Sequence, residues 1–341
     1  MAALPGVLAV VAAGCSRQPA HNQSALHPVG PQAERMADLW WLSFGISAAV
    51  FALVLVALGV AMTASRRRRG RRATEPEASR TLTRVVGVVV GVTALILLGW
   101  LVTSISAGRP LTALAQSGVP QRDEPLTINL TAQQWWWDVE YAAPEAQQQL
   151  RTANEIRIPV GRPVVLRMSS TDVIHSFWVP NLHGKRDLIP GYTSTTWLQA
   201  DSAGVYRGQC AEFCGLQHAK MGLVVVAMPR AEFEAWYRSQ LLPAAAPTDS
   251  VRRRGQQVFL TSSCMLCHSI RGTTAGGRLG PDLTHLGSRQ MLAAASIPNT
   301  RGYLGGWMVD PQRIKPGVHM PPNNLSPQDL QALIAYLEGL R

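Results

Sequence analysis

Two stretches of this sequence run without charge for longer than a membrane is thick. LWWLSFGISAAVFALVLVALGVAM spans Leu39 to Met62, and VVGVVVGVTALILLGWLVTSIS spans Val85 to Ser106. A helix needs about 20 apolar residues to cross a bilayer. One such run could lie in a soluble core. Two in succession, joined by a polar segment, point to a two-helix transmembrane hairpin in the lipid bilayer, at residues 36–107. The joining segment, SRRRRGRRATEPEASRTLTR, holds eight Arg and two Glu, and so +6 of the formal +11. A basic chain can signal nucleic acid. Arg beside membrane helices follows the positive-inside rule instead, so no nucleic-acid partner is expected. The loop is then cytoplasmic, and the N-terminus and everything beyond about residue 107 lie outside a bacterial plasma membrane. Glu75 and Glu77 could sit near the mouth of a proton channel; a solvated loop is the plainer reading.

The N-terminal LPGVLAVVAAGCS is a short apolar run ending in small residues and a Cys. It is similar to a lipoprotein signal over residues 1–15, cleaved before Cys15 with lipid added to that thiol. It departs from that pattern in having no Lys or Arg ahead of the run and Ala12 where Leu is usual. An uncleaved tail is the alternative.

Beyond the second span the pattern changes. LTINL (126–130), WWWDVEY (135–141), EIRIPV (155–160), PVVLRM (163–168), TSTTWLQA (193–200), GVYRGQC (204–210) and GLVVVAMP (222–229) are short and rich in β-branched and aromatic residues. Gly, Pro, Asn and Asp punctuate them. This predicts an antiparallel β-sandwich over 108–242, closed by a helix at RAEFEAWYRSQL (230–241). A Pro/Ala linker follows at 243–250, and then a helical unit at 251–341.

The helical unit carries Cys264-Met-Leu-Cys267-His268, the C-x-x-C-H signature for attaching haem c. Two thiols add to the haem vinyl groups and the adjacent His becomes an axial iron ligand. A thioredoxin-like motif would want a βαβ setting, and zinc would want a second ligand pair; neither is here. The sixth iron ligand could be Met291, Met308, Met320, His285 or His319. Met320 is best placed, in PGVHMPPNN just before the last helix. That helix has Ser326 to cap it, Pro327 in the first turn and Asp329 for the dipole. Leu330, Leu333, Ile334 and Leu337 line one face. The unit resembles a small all-α class I cytochrome c. In that family a Met from such a loop closes the haem pocket, and the proline of a GPDL segment (280–283 here) orients the proximal His.

GQCAEFCGLQHAKM (208–221) places Cys210, Cys214, His218 and Met221 within twelve residues. A Cys210–Cys214 disulfide is the bland reading for an exterior domain. Two Cys with two His, His175 included, would suit zinc. Thiolate with thioether selects copper, whose electron-transfer sites commonly carry a weak axial Met. The spacing C-x-E-x-C-x-x-x-H-x-x-M resembles the binuclear copper centre, CuA, of cytochrome c oxidase subunit II. DVIHSFWVPNLHGKRDLIPG (172–191) and QWWWDVEY (134–141) match that family's other ligand segment and its aromatic segment. The resemblance covers most of the chain from residue 39, and the haem unit is similar to that of the caa-type branch.

The resemblance implies a cupredoxin-like fold in which Cys210 and Cys214 bridge both coppers. His175 and Met221 complete one copper; His218 and the Glu212 carbonyl complete the other. The Glu212 side chain would touch a magnesium ion at the boundary with subunit I. Trp135 would be the aromatic residue through which electrons enter, against the plainer reading of a core Trp. His183, Lys185 and Asp187 would lie near subunit I, or be simply solvated. The implied function is subunit II of a caa-type oxidase, in which a donor such as cytochrome c or a cytochrome bc complex reduces the haem, and electrons pass to CuA and on to subunit I for oxygen reduction coupled to proton translocation. Subunit III would be a further partner. A nitric or nitrous oxide reductase component and a stand-alone membrane-anchored carrier or copper-delivery protein remain as alternatives; a quinol oxidase subunit would lack the Cys and His ligands. The eight linker residues reach at most ~28 Å. The haem unit is therefore expected on one local face, that of Trp135, with Arg252, Arg253 and Arg254 close by.

Overall fold

The computed structural model describes residues 23–67, 80–117 and 126–341. The lipid-signal reading at Cys15 and the readings of Glu75 and Glu77 lie outside the described residues. Glu34–Gln116 form one compact unit and the rest of the chain forms another.

The first unit is a helical hairpin. Helices α1 (Pro31–Arg67, 37 residues) and α2 (Arg80–Ser117, 38 residues) are each long and apolar enough to cross a membrane. At 1.5 Å per residue each measures about 56 Å, more than the ~30 Å of a hydrocarbon core. Phe51, Leu53, Val56 and Leu95 are exposed, as on a helix that is apolar all round and meets lipid. A polar contact joins the pair: Trp100 Nε1 donates to Ser43 Oγ at 2.7 Å, and Ser43 Oγ donates to Leu39 O at 2.7 Å. Such bonds are among the few attractive forces between helices that lipid does not supply equally.

The second unit begins with a two-layer sandwich. Its strands are β1 (Leu126–Gln133), β2 (Trp136–Ala142), β3 (Leu150–Ala153), β4 (Glu155–Pro159), β5 (Val164–Ser170), β6 (His175–Trp178), β7 (Arg186–Leu188), β8 (Ser194–Leu198), β9 (Gly204–Cys210) and β10 (Gly222–Met228). The sheets run β3-β2-β1-β5-β8 and β4-β10-β9-β6-β7. Most neighbours are antiparallel; β1–β5 and β4–β10 are parallel, each joined by a long connection, as parallel partners require. Alternate residues point inward: Ile128, Leu130 and Ala132 from β1, Trp137, Val139 and Tyr141 from β2, Val164, Leu166 and Met168 from β5. They meet Ile156, Phe177, Leu223 and Val225 in one core. Helix α3 (Arg230–Leu241) closes it with Phe233.

The helical part follows: α4 (Ser250–Thr261), the single turn α5 (Cys264–Cys267), a small hairpin of β11 (Met291–Leu292) and β12 (Ile297–Pro298), α6 (Arg301–Val309), α7 (Pro311–Ile314) and α8 (Pro327–Glu338). Asp249 caps α4 and Ser326 caps α8, each side chain accepting a backbone N–H. Helices α4 and α8 cross so closely that a Cβ on Gly255 would lie 2.0 Å from Ala332 O. Leu333, Ile334 and Leu337 of α8 are buried against Phe259 and Leu304.

The two parts of this unit share a seam. Strand β10 is buried on both faces, as its unbroken apolar run requires. Leu223, Val225 and Ala227 face the sandwich core, while Val224 and Val226 meet Ala295, with Met291 beside them. Covering each valine stabilises the seam by about 1.5–3 kcal/mol. The hairpin that delivers Ala295 turns through three left-handed residues, Ala293, Ala294 and Ala295, at φ 52°, 56° and 54°. This conformation costs an L-residue roughly 1–2 kcal/mol. In return Ala294 O accepts from Gly222 N at 2.9 Å, and Ser296 Oγ donates to Lys220 O at 3.0 Å. Further along, Gln290 N donates to Glu155 Oε2 at 2.9 Å and Arg157 Nη2 to Ser288 O at 3.1 Å.

The linker lies against the helical part, with Ala244 N donating to Arg271 O at 2.9 Å. The expected Arg cluster does not make the seam: Arg252 faces Asp249 and Arg254 pairs with Asp329 at 2.9 Å, both within the helical part. The seam is made by β10 and by carbonyl acceptors, which take their donors from Lys, Gln, backbone N–H and the separate Arg157 and Arg271 rather than from the 252–254 cluster.

A chain cut within the linker should therefore stay together, its sandwich and helical parts co-eluting on gel filtration. Adding Val226→Asp, which buries a carboxylate in the seam, should separate them.

Candidate metal centre

Three elements converge at one end of the sandwich. His175 begins β6, Cys210 ends β9, and the loop between β9 and β10 carries Cys214, His218 and Met221. The Cys210 and Cys214 sulfurs lie 3.8 Å apart, far beyond the ~2.05 Å of a disulfide, and both thiols are free. His175 Nδ1 is 3.9 Å from Cys210 Sγ, His218 Nδ1 is 3.7 Å from Cys214 Sγ, and Met221 Sδ is 3.8 Å from Cys214 Sγ. The Glu212 carbonyl lies 3.2 Å from Cys210 Sγ. Metal–sulfur bonds of about 2.3 Å and metal–nitrogen bonds of about 2.0 Å separate two ligands of one tetrahedral ion by roughly 3.6–3.8 Å. The spacings fit shared metal.

The donor set also fits a pair of ions better than one. Two thiolates, two imidazoles, a thioether and a carbonyl exceed what a single tetrahedral zinc takes, and the thioether is a copper ligand. Among the described residues, His175, Cys210 and Cys214 form a group of buried ligand atoms within 4.8 Å of one another. The contact with Cys214 draws the Cys210 thiol well down, and that same contact pushes Cys214 up. A bound cation removes the proton that the pair retains.

The shell around the ligands is hydrogen-bonded throughout. Asp172 Oδ1 holds His175 Nε2 at 2.8 Å, which leaves Nδ1 toward the sulfurs. Its other oxygen accepts Gln134 N at 2.6 Å. Burial would raise the Asp172 carboxyl, but the bonds from His175, Gln134 and Val173 hold it below the usual range. Trp135 Nε1 and Gln134 Nε2 both donate to Cys214 O, at 2.9 and 2.8 Å. Trp135 is thus buried against the ligand loop. Sequence reasoning gave Asp172 no role; its signal was the Asp-x-x-His spacing. His183 is buried beside Gly184 O and Thr196 Oγ1, and burial lowers its basicity. Lys185 is 3.6 Å from the Glu212 carboxylate, and Asp187 is exposed on β7.

The haem-attachment residues form a second site. Cys264 and Cys267 are half-buried on α5 and free of disulfide. The Pro281 carbonyl accepts from His268 Nδ1 at 2.8 Å, leaving Nε2 for iron. Burial lowers the basicity of His268, which favours the neutral, ligating form. Gly280 lies flush with the ring, since a Cβ there would be 2.6 Å from His268 Cε1. These features fit haem c. Of the remaining candidates, Met308 is buried in the helical core and Met291 packs at the seam. His285 Nε2 contacts Gln240 O and Leu242 O, each at 3.1 Å. Met320 sits half-buried on a loop held by Gln312, whose Nε2 donates to Val318 O at 2.8 Å and Met320 O at 3.0 Å. His319 is exposed, its ring centroid 5.8 Å from that of Trp135.

Replacing Asp172 by Ala should free the His175 ring. Copper affinity, measured by competition with a chelator, should fall about 10–100-fold, with the far-ultraviolet circular dichroism unchanged.

Comparison with known proteins gives the family. Residues 143–228 match the family model described as cytochrome c oxidase subunit II, periplasmic domain, and residues 253–341 match that for cytochrome c. The chain is 34% identical to cytochrome c oxidase subunit 2 of Alkalihalophilus pseudofirmus over 322 residues, 94% of this chain and 91% of the relative. It is 29% identical to the same subunit of Bacillus sp. strain PS3, over 98% of this chain and 96% of the relative. A crystal structure of the periplasmic domain of subunit II of cytochrome oxidase from Bradyrhizobium japonicum is 31% identical, with a TM-score of 0.33, and covers 36% of this chain and 96% of that one. With both family models matched in order and relatives aligned over nearly its whole length, this membrane-anchored chain belongs to the cytochrome c oxidase subunit II family and carries a fused cytochrome c domain.

Proposed function

We propose that this chain is the electron-input subunit of a caa-type haem–copper oxidase. The observation that carries the reading is the set of six donors made up of the Cys210 and Cys214 sulfurs and the four groups around them, with a haem-attachment site docked on the same sandwich. Cys264 and Cys267 would hold haem c covalently, with His268 and Met320 supplying the protein's donors to its iron. Cys210, Cys214, His175, His218, Met221 and the Glu212 carbonyl would hold the copper pair. When bound, these groups supply one-electron chemistry, taking electrons singly from cytochrome c or a cytochrome bc complex and yielding them to subunit I, where oxygen is reduced and protons are translocated.

The chain's own residues position and insulate. Asp172 orients His175, and Trp135 and Gln134 fix the Cys214 carbonyl. The sandwich buries Cys210, Cys214, His175 and Met221 from water, so little solvent would reorganise as charge changes. A docked haem unit makes transfer intramolecular, and the reading favours docking over a free tether. The division into anchor (36–107), copper domain (108–242), linker (243–250) and haem domain (251–341), with both domains on the extracytoplasmic side, belongs to this proposal, as do subunits I and III as partners. Magnesium does not. Lys185 already lies beside the Glu212 carboxylate, and an ion there would need oxygen ligands from another chain.

The purified full-length protein, loaded with metal and haem, should show a mixed-valence copper signal by electron paramagnetic resonance and a haem c spectrum. Cys210→Ser should abolish the near-infrared copper band and leave the haem spectrum intact. Zinc in place of copper on elemental analysis would overturn the reading. Met320→Ala should remove the weak sulfur-to-iron absorption and lower the haem reduction potential.

A further inference from the structure

We infer that His319 is the residue through which electrons leave the haem domain, and that Lys315 is the positioning residue that holds it against Trp135. The inference rests on the reading above, in which Met320 is an iron ligand. It goes further by naming a route across the seam.

On the copper side the route is already bonded. Cys214 is a ligand, its carbonyl accepts the Trp135 indole N–H at 2.9 Å, and Trp135 is only 6% exposed. On the haem side His319 is covalently next to Met320. Between them lies one through-space step, the 5.8 Å between the ring centroids of Trp135 and His319, with the planes tilted by 44°. With haem and copper bound, one electron would cross it: the haem iron would go from ferrous to ferric as the copper pair gained the electron, with no bond broken and no proton moved.

What fixes that step is unusual for a surface loop. Lys315 is 1% exposed. Its Nζ donates to Trp135 O at 2.8 Å and to Ala293 O at 3.3 Å, one acceptor from each side of the seam. A buried ammonium is costly unless hydrogen-bonded, so these carbonyls are a strong reason for it to stay. Trp135 is thereby held at both ends, its carbonyl by Lys315 and its indole by Cys214. The 315–320 segment is braced from both sides as well. Gln217 Nε2 donates to Pro316 O at 2.6 Å, Lys220 Nζ donates to Ile314 O, and Gln312 Oε1 accepts Gly317 N at 2.7 Å. Gln217 and Lys220 flank His218, so the loop that ligates copper itself grips the loop that presents His319.

The test uses the full-length protein loaded with haem and copper, reduced at the haem by a flash of photoreductant. His319→Ala is a surface change and should fold. Haem-to-copper transfer should slow at least ~10-fold, within the range over which small misplacements act on reacting centres, while both absorption spectra and both potentials stay unchanged. His319→Phe, which keeps a ring, should restore most of the rate. Lys315→Met should also slow transfer, and should speed hydrogen–deuterium exchange in the peptide containing Trp135, with or without metal. A transfer rate within twofold of wild type in His319→Ala, with both the copper band and the sulfur-to-iron band present, overturns the route and leaves the proposed function standing. Absence of either band from the wild-type protein overturns both. Unchanged exchange around Trp135 in Lys315→Met overturns the positioning role.

Discussion

Strand β10 is apolar on both faces and therefore has to be covered twice. One face completes the sandwich core through Leu223, Val225 and Ala227. The other, Val224 and Val226, would meet water if the haem domain were merely tethered. Burial of that second face sets the position of the hairpin with Ala295, and the hairpin's carbonyls then reach Gly222 and Lys315. The loop that ends at Met221 leads directly into this strand. The hydrophobic demand of one strand thus places the cytochrome c domain beside the proposed metal-binding loop.

The proposed metal-binding loop is braced through its backbone. The Cys214 carbonyl has two donors, Trp135 and Gln134. Cys210 N pairs with Met221 O at 2.8 Å, tying the two ends of the loop together. Asp172 sets the His175 ring from the opposite side. A one-electron centre benefits from such a frame, since ligands that cannot move need not be rearranged when charge arrives.

The same polar groups serve two domains. Gln217 and Lys220 belong to the metal-binding loop and bond the 314–316 backbone. Lys315 returns the contact to Trp135. Linking two modules usually acts by raising an effective concentration that depends on linker length. Here the linker packs on the haem domain and the seam fixes the geometry, so linker length matters less than the match of carbonyls and donors across the seam.

Much of this was legible in the sequence because it is local. Charge-free runs of membrane length fix the two helices, and seven of the ten sandwich strands announce themselves by β-branched and aromatic clusters. The missed strands, β3, β6 and β7, are three or four residues long, too short for periodicity to register; they exist because neighbouring strands complete their hydrogen bonds. C-x-x-C-H names its candidate ligands within one turn, and C-x-E-x-C-x-x-x-H-x-x-M gathers most of its own in one loop, with the full set implied by the resemblance to the subunit II copper segment. GLVVVAM read as one more strand of the sandwich, and nothing in that reading asked for the second covering layer it receives. Asp172 left a local signal three residues from His175, but the sequence could not say what would supply that layer, nor that an isolated lysine at 315 would be buried between two carbonyls. Those are pairings between residues as much as 180 positions apart. A lysine carries the same local signal on any surface, and only the packing of one domain on another makes its burial favourable.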